Sequence, residues 1–171
     1  MRYICSLLVI IFITACGYRP ATHYTRDVLG ERIYVDVAIS REDLENSVLI
    51  KDAVNQSVIT RLGGKLVSKE TADSGLLIEI GSITFSPILY NKSGYITAYK
   101  TKVSLDIKYK TKSGNSDSFS TSGEYDFQID ENEDGTTNSI ISDGNRFDAI
   151  KRASMDALNE FVSQIAMRGI K

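Results

Sequence analysis

The chain has no tryptophan, one histidine (His23), two cysteines and two prolines. A lone histidine leaves no His-based metal cluster and no Ser-His-Asp set. There is also no glycine loop of the kind that cradles phosphates. Both cysteines, Cys5 and Cys16, lie within the first 16 residues, so the body of the chain holds no thiol for a disulfide, a metal or a nucleophile. It must therefore fold on core packing alone. Charge of one sign is also missing: 20 basic residues face 22 acidic ones, which excludes a nucleic-acid footprint. No hydrophobic run reaches the roughly 20 residues of a spanning helix. These gaps together point to a protein that binds and docks, neither an enzyme nor a cofactor carrier.

What is present begins with the leader. Ile4 to Ile13 is an apolar run behind a single basic residue, Arg2, and has the length of a signal-peptide core. Thr14, Ala15 and Cys16 follow, and "ITAC" resembles a lipobox, in which the cysteine thiol is acylated and becomes the first mature residue. An ordinary signal peptide with an incidental cysteine is the alternative. On the lipoprotein reading, residues 1–15 are a signal, Cys16 carries lipid and residues 16–30 form a polar tether. The mature balance is then 19 basic to 22 acidic residues. One acyl chain anchors only marginally, but two or three, as bacterial lipoproteins resemble, hold permanently.

From residue 31 to 171 the pattern predicts one α+β domain. Ile33, Val35, Val37 and Ile39 alternate with Arg32, Tyr34, Asp36 and Ala38, as in a half-buried strand. Ile50, Ala53, Val54, Val58 and Leu62 predict a helix over 47–62, stopped at Gly63 and Gly64. "KLVS" reads as a short strand or an extended lead-in. Leu76, Ile78 and Ile80 are apolar on even numbers, then Ile83, Phe85 and Leu89 on odd numbers. That change of parity at Gly81 predicts a β-bulge, and Pro87 predicts an edge. "NKSG" and "KSGNS" are hairpin turns. They bracket a long strand with Tyr95, Thr97, Tyr99, Val103, Leu105, Ile107 and Tyr109 on one face and Ala98 with four lysines on the other. The next strand presents Phe119, Thr121, Tyr125, Phe127 and Ile129. A second helix, 145–168, buries Phe147, Ile150, Ser154, Ala157, Leu158, Phe161 and Ile165. The expected architecture is a two-layer sandwich, two helices packed on one face of a mostly antiparallel sheet of about four strands whose other face is wet.

Three candidate sites arise. Lys100, Lys102, Lys108 and Lys110 share one strand face over about 30 Å, a row that suits anionic headgroups, phosphates or sugar acids. The alternative is a solvated face on which lysine discourages edge pairing. Asp130, Asn132, Asp134 and Gly135 match the first half of a calcium loop, but its twelfth position is Ile141 where a bidentate Glu is needed, so an acidic loop is expected. His23 falls in the tether, where no core orients it.

The segments "ACGYRP", "GGKLVSKETADSGLLIEIGSITFSPILYNKSGYITAYKTKVSLDIKY" and "FDAIKRASMDALNEFVSQI" resemble the LPS-assembly lipoproteins of the LptE family. The resemblance implies two helices against a mostly antiparallel four-stranded sheet. It also implies an outer-membrane lipoprotein, anchored on the periplasmic side and sitting as a plug in the LptD β-barrel, that helps place lipopolysaccharide in the outer leaflet. Gly17 after the cysteine is similar to the default signal for export to the outer membrane. Contact with lipopolysaccharide would carry over to Lys100, Lys102, Lys108 and Lys110. The competing function is a regulatory lipoprotein that activates a peptidoglycan synthase, although such proteins carry a longer disordered linker than this one.

Overall fold

The computed structural model describes residues 21–38, 44–129 and 140–169. The leader, Cys16 and the acidic segment from Asp130 to Asp134 lie outside the described residues, as does Ile39. Eight elements follow in order: α1 (Ala21–Leu29), β1 (Arg32–Val37), α2 (Leu44–Thr60), β2 (Lys65–Leu66), β3 (Ser74–Tyr90), β4 (Ile96–Thr111), β5 (Ser116–Gln128) and α3 (Asp143–Gly169).

The sheet has five strands in the order β2-β1-β3-β4-β5. This corrects the expected four. β3, β4 and β5 form the antiparallel meander, but β1 runs parallel to both β2 and β3, so the sheet is mixed. The cause is α2. A helix between two strands returns the chain to its starting end, and the next strand then runs the same way as the first. β2, the fifth strand, is two residues long and falls within "KLVS", on the short-strand side of the two readings given for it.

The predicted bulge is present. Ile80 pairs with Leu105 but Ser82 pairs with Ser104, so β3 uses two residues where β4 uses one, at Gly81. That step keeps Ile83 and Phe85 on the same face as Leu76 and Ile78. β3 slips again near Pro87.

Both predicted helices pack on one face. Phe161, Ile165 and Ile150 of α3 and Ile50, Val54 and Val58 of α2 meet Leu76, Ile78, Val103, Leu105 and Ile107 in one core. Ser154 lies in the apolar stripe of α3 and returns its hydroxyl to the Ile150 carbonyl at 2.7 Å. Phe147 is only half-buried, whereas Ala149, Ala153 and Ala157 are fully buried. These small residues bring the α3 backbone close to the sheet. Ala98, assigned to the wet face, is also buried, at 2% exposure.

A third helix corrects the two-helix expectation. Of residues 16–30, read as a tether, Ala21–Leu29 are helical. Thr25 and Leu29 are buried at helical spacing, and the Tyr24 backbone lies against Gly169 at the end of α3. Nine mostly polar residues cannot hold a helix alone, and this one forms by docking. His23 stays on its exposed side, 3.6 Å from Asp27.

Two residues lock α1 to the sheet. Gly30 has φ +79°, and a Cβ there would stand 2.6 Å from the Cβ of Asp73. Asp73 in turn accepts from Arg32 Nη2 at 2.6 Å and from the Arg32 backbone N–H at 2.9 Å. Gly30→Ala is expected to lower stability by about 1–2 kcal/mol, read as a lower urea midpoint. The bonds from Arg32 hold the Asp73 carboxyl at a pKa of about 2. An unfolded aspartate titrates near 3.9. The folded pKa is the lower of the two, so the contribution is complete above about pH 4 and is lost as pH falls towards 2. The gap between the urea midpoints of wild type and Asp73→Asn should therefore close across that window. A constant gap would show that the Arg32 contact does not act through the charge.

Candidate functional site: the open face of the sheet

The helices cover one face of the sheet and leave the other open. Each strand was built by alternation, so the residues opposite the core are polar by construction. β3 contributes Ser82, Thr84 and Ser86, β5 contributes Ser118, Ser120, Ser122, Glu124 and Asp126, and β4 carries the four lysines between them.

The register shows what the lysine row meets. Lys100 Nζ lies 2.7 Å from Glu124 and 3.9 Å from Asp126, and Lys102 is 3.5 Å from Glu124. Lys108 is 3.0 Å from Glu79. The hydrogen bond from Lys100 lowers the pKa of Glu124, and Glu124 followed by Asp126 raises that of Lys100. Three of the four lysines are thus matched by carboxylates on neighbouring strands, and the row is not a continuous cationic stripe. Such half-exposed pairs contribute little to stability, but they cancel the local field. Lys110, at the end where the sheet meets α1, has no carboxylate partner among the described residues.

Lys110 opens onto a cleft of about 640 Å³ whose walls include Tyr34, Asp36, Lys69, Leu77 and Lys108. Gly75 forms its floor: a Cβ there would touch only the Tyr34 ring, at 3.9 Å, so the missing side chain leaves space and not strain. An adjoining hollow adds Lys112. Asp117 is on the same rim but is engaged by Arg168 at 3.0 Å. The cleft therefore joins Lys69, Lys110 and Lys112 from two turns and a strand end, beside an aromatic ring. The sequence reading missed Lys69 and Lys112, because nothing in a one-strand pattern brings the turn after β2 next to the end of β4.

Sequence reading also missed a role for two acids of α3. Glu160 accepts from the Ser122 N–H at 2.9 Å and Asp156 from the Glu124 N–H at 3.1 Å. They occupy outward donors of edge strand β5. This is possible because Gly123 lets α3 come against the strand: a Cβ on Gly123 would overlap the Ala153 carbonyl oxygen and the Ala157 nitrogen. Among the described residues no group of three His, Cys, Asp or Glu side chains is placed to hold a metal, and no helix is long and apolar enough to cross a membrane.

Residues 31–165 match the family model LptE, described as lipopolysaccharide-assembly. No curated protein sequence matches the chain. Among solved structures, a lipoprotein candidate of Caulobacter crescentus is similar at TM-score 0.53 and 13% identity, over 86% of this chain and 93% of that one. That likeness establishes the fold. Rare lipoprotein B of Shewanella oneidensis is similar at TM-score 0.47 and 14% identity, over 80% of this chain and 96% of that one.

Proposed function

The chain belongs to the LptE family of lipopolysaccharide-assembly proteins, and from that premise we propose that it is an outer-membrane lipoprotein, lipidated at Cys16. In this reading it docks an LptD-like β-barrel and offers the open face of its sheet to the aqueous lumen, acting by docking and not by catalysis. The observation that supports this is the uncovered polar face. A sheet with one helix-covered and one hydroxyl-rich face suits a water-filled interior, where an apolar second face would have to find cover.

Docking of α1 changes how the anchor works. Only four residues separate Cys16 from Ala21, a reach of about 18 Å at full extension, where a tether to residue 30 would span about 45 Å. The lipid holds the α1 end of the domain close to the inner leaflet, and the β3–β4 hairpin extends about 55 Å away from it. That exceeds the 40–45 Å of a bilayer with its headgroups, so the hairpin reaches the level of the outer leaflet from an anchor in the inner one.

Contact with the phosphorylated glycolipid then centres on the cleft of Lys69, Lys110 and Lys112 with Lys108 at its wall, since Lys100 and Lys102 are already matched by Glu124 and Asp126. Purification of the lipidated full-length chain is expected to bring down a large β-barrel in equal amount, and depletion should remove lipopolysaccharide from the cell surface. Recovery of a peptidoglycan synthase, with surface lipopolysaccharide unchanged, would overturn the proposal in favour of the regulatory reading.

A further inference from the structure

Two rungs of side chains cross the open face of the sheet at the cleft. Tyr34 pairs with Gly75, Gly75 with Lys110 and Lys110 with Ser116. Two residues along β3, Asp36 pairs with Leu77, Leu77 with Lys108 and Lys108 with Ser118. All of these residues line the cleft, so strand register fixes its shape. Tyr34 and Lys110 flank Gly75 two strand spacings apart, about 10 Å, with no side chain on the residue between them. The surface beside that gap is apolar, because Leu77 is 37% exposed there.

Charge is divided between two compartments. The adjoining hollow, of about 230 Å³, shares Tyr34, Lys69, Gly75 and Lys110 with the cleft and adds Lys112. Its one acid, Asp73, is already held by Arg32. Three ammonium groups with no free carboxylate among them make a place for an anion. The larger cleft differs. It holds Asp36, which forms no salt bridge among the described residues. A site for a bare anion gains nothing from a free carboxylate, which repels it. An ionised carboxylate only accepts hydrogen bonds, so Asp36 suits a ligand that also donates them. The volume agrees. About 640 Å³ is far more than one phosphate fills. It falls within the roughly 300–1,000 Å³ of small-molecule sites, which combine apolar walls with a few placed polar groups. An anion at one end, donors at the other and an apolar ring face between them describe a sugar that bears an acid group.

We propose that the cleft is a carbohydrate site for one anionic pyranose. Its ring lies over Gly75 against Tyr34 and Leu77, and its hydroxyls donate to Asp36. Its phosphate or carboxylate enters the hollow between Lys69, Lys110 and Lys112. This deepens the proposed function, on which it rests for one thing only: that the sugar belongs to the head of a glycolipid.

The test follows the Gly75 amide by NMR while the purified full-length chain, in a zwitterionic detergent that carries no sugar, is titrated. Glucose 1-phosphate should bind with a dissociation constant on the order of 1 mM, and glucose or inorganic phosphate at least about 10-fold more weakly. Glucuronate should bind too, and its rank against glucose 1-phosphate names the preferred anion. Gly75→Leu fills the gap without changing a charge. A Cβ there meets only the Tyr34 ring, at 3.9 Å, so the fold should hold. This variant should bind glucose 1-phosphate about 10-fold more weakly and inorganic phosphate as before. Tyr34→Ala, which removes the wall instead of filling the gap, should do the same. Equal binding of glucose 1-phosphate and inorganic phosphate would overturn the proposal, as would wild-type affinity for the sugar phosphate in Gly75→Leu. So would tighter binding of adenosine monophosphate, since a stacked base would then be the better ligand. None of these readouts involves the barrel. A chain that fails them yet brings down the barrel loses only the sugar site, and one that passes them without a barrel loses only the docking role.

Discussion

Gly123→Val is expected to abolish stable folding, with a loss above about 4 kcal/mol where single substitutions usually cost 0.5–3. The reason is the identity of the obstacle. A side chain at Gly123 meets the Ala153 carbonyl oxygen and the Ala157 nitrogen, which are backbone atoms of α3 and cannot rotate aside. The helix must lift from the sheet, and lifting loosens the contacts that bury Phe161 and Ile165. It also withdraws Glu160 and Asp156 from the Ser122 and Glu124 amides, leaving edge donors without acceptors. A domain this size has only about 5–15 kcal/mol to lose. Gly123→Ala should fall between, because one methyl already enters the contact. Urea unfolding and the yield of folded protein measure both, and a valine variant with the wild-type midpoint would show that α3 is not seated as described.

Reversing charge at the cleft is expected to have the largest effect on ligand binding. In the double variant Lys69→Glu, Lys110→Glu, binding of purified lipopolysaccharide should weaken on the order of 30-fold, about 2 kcal/mol from two solvent-exposed charges changed from attractive to repulsive. The loss should shrink as salt rises, since exposed charges are screened. Neither lysine forms a salt bridge among the described residues, so the fold should be little disturbed. Lys100→Glu, Lys102→Glu is the contrasting pair. Those substitutions confront Glu124 and Asp126 with new negative charge, and should lower the urea midpoint more and the affinity less. Equal losses of affinity in both doubles would place the binding surface along the whole strand.

The residues that could be read in advance were those whose role repeats along the chain. The bulge at Gly81 was legible because a change of parity is a local signal. The α3 stripe was legible because helical spacing recurs over about five turns, and the two helices fell within three residues of their predicted ends. α1 was not legible. Its nine residues carry too little apolar surface to signal a helix, and their order depends on Gly169 and Asp73, both distant in sequence. The lysine row was visible, but its neutralisation was not, since Glu79, Glu124 and Asp126 are 22 to 29 residues from the lysines they meet.

Sequence by itself determined the α+β class, the single wet face and the bulge, because each follows from periodicity. Only the tertiary structure decided that β1 runs parallel to β3, that Lys69 stands beside Lys110 and that α3 seats on Gly123. Those facts depend on register between strands and on close approach between elements. Register and approach are set by the mutual fit of surfaces far apart along the chain, and no local pattern of residues encodes them.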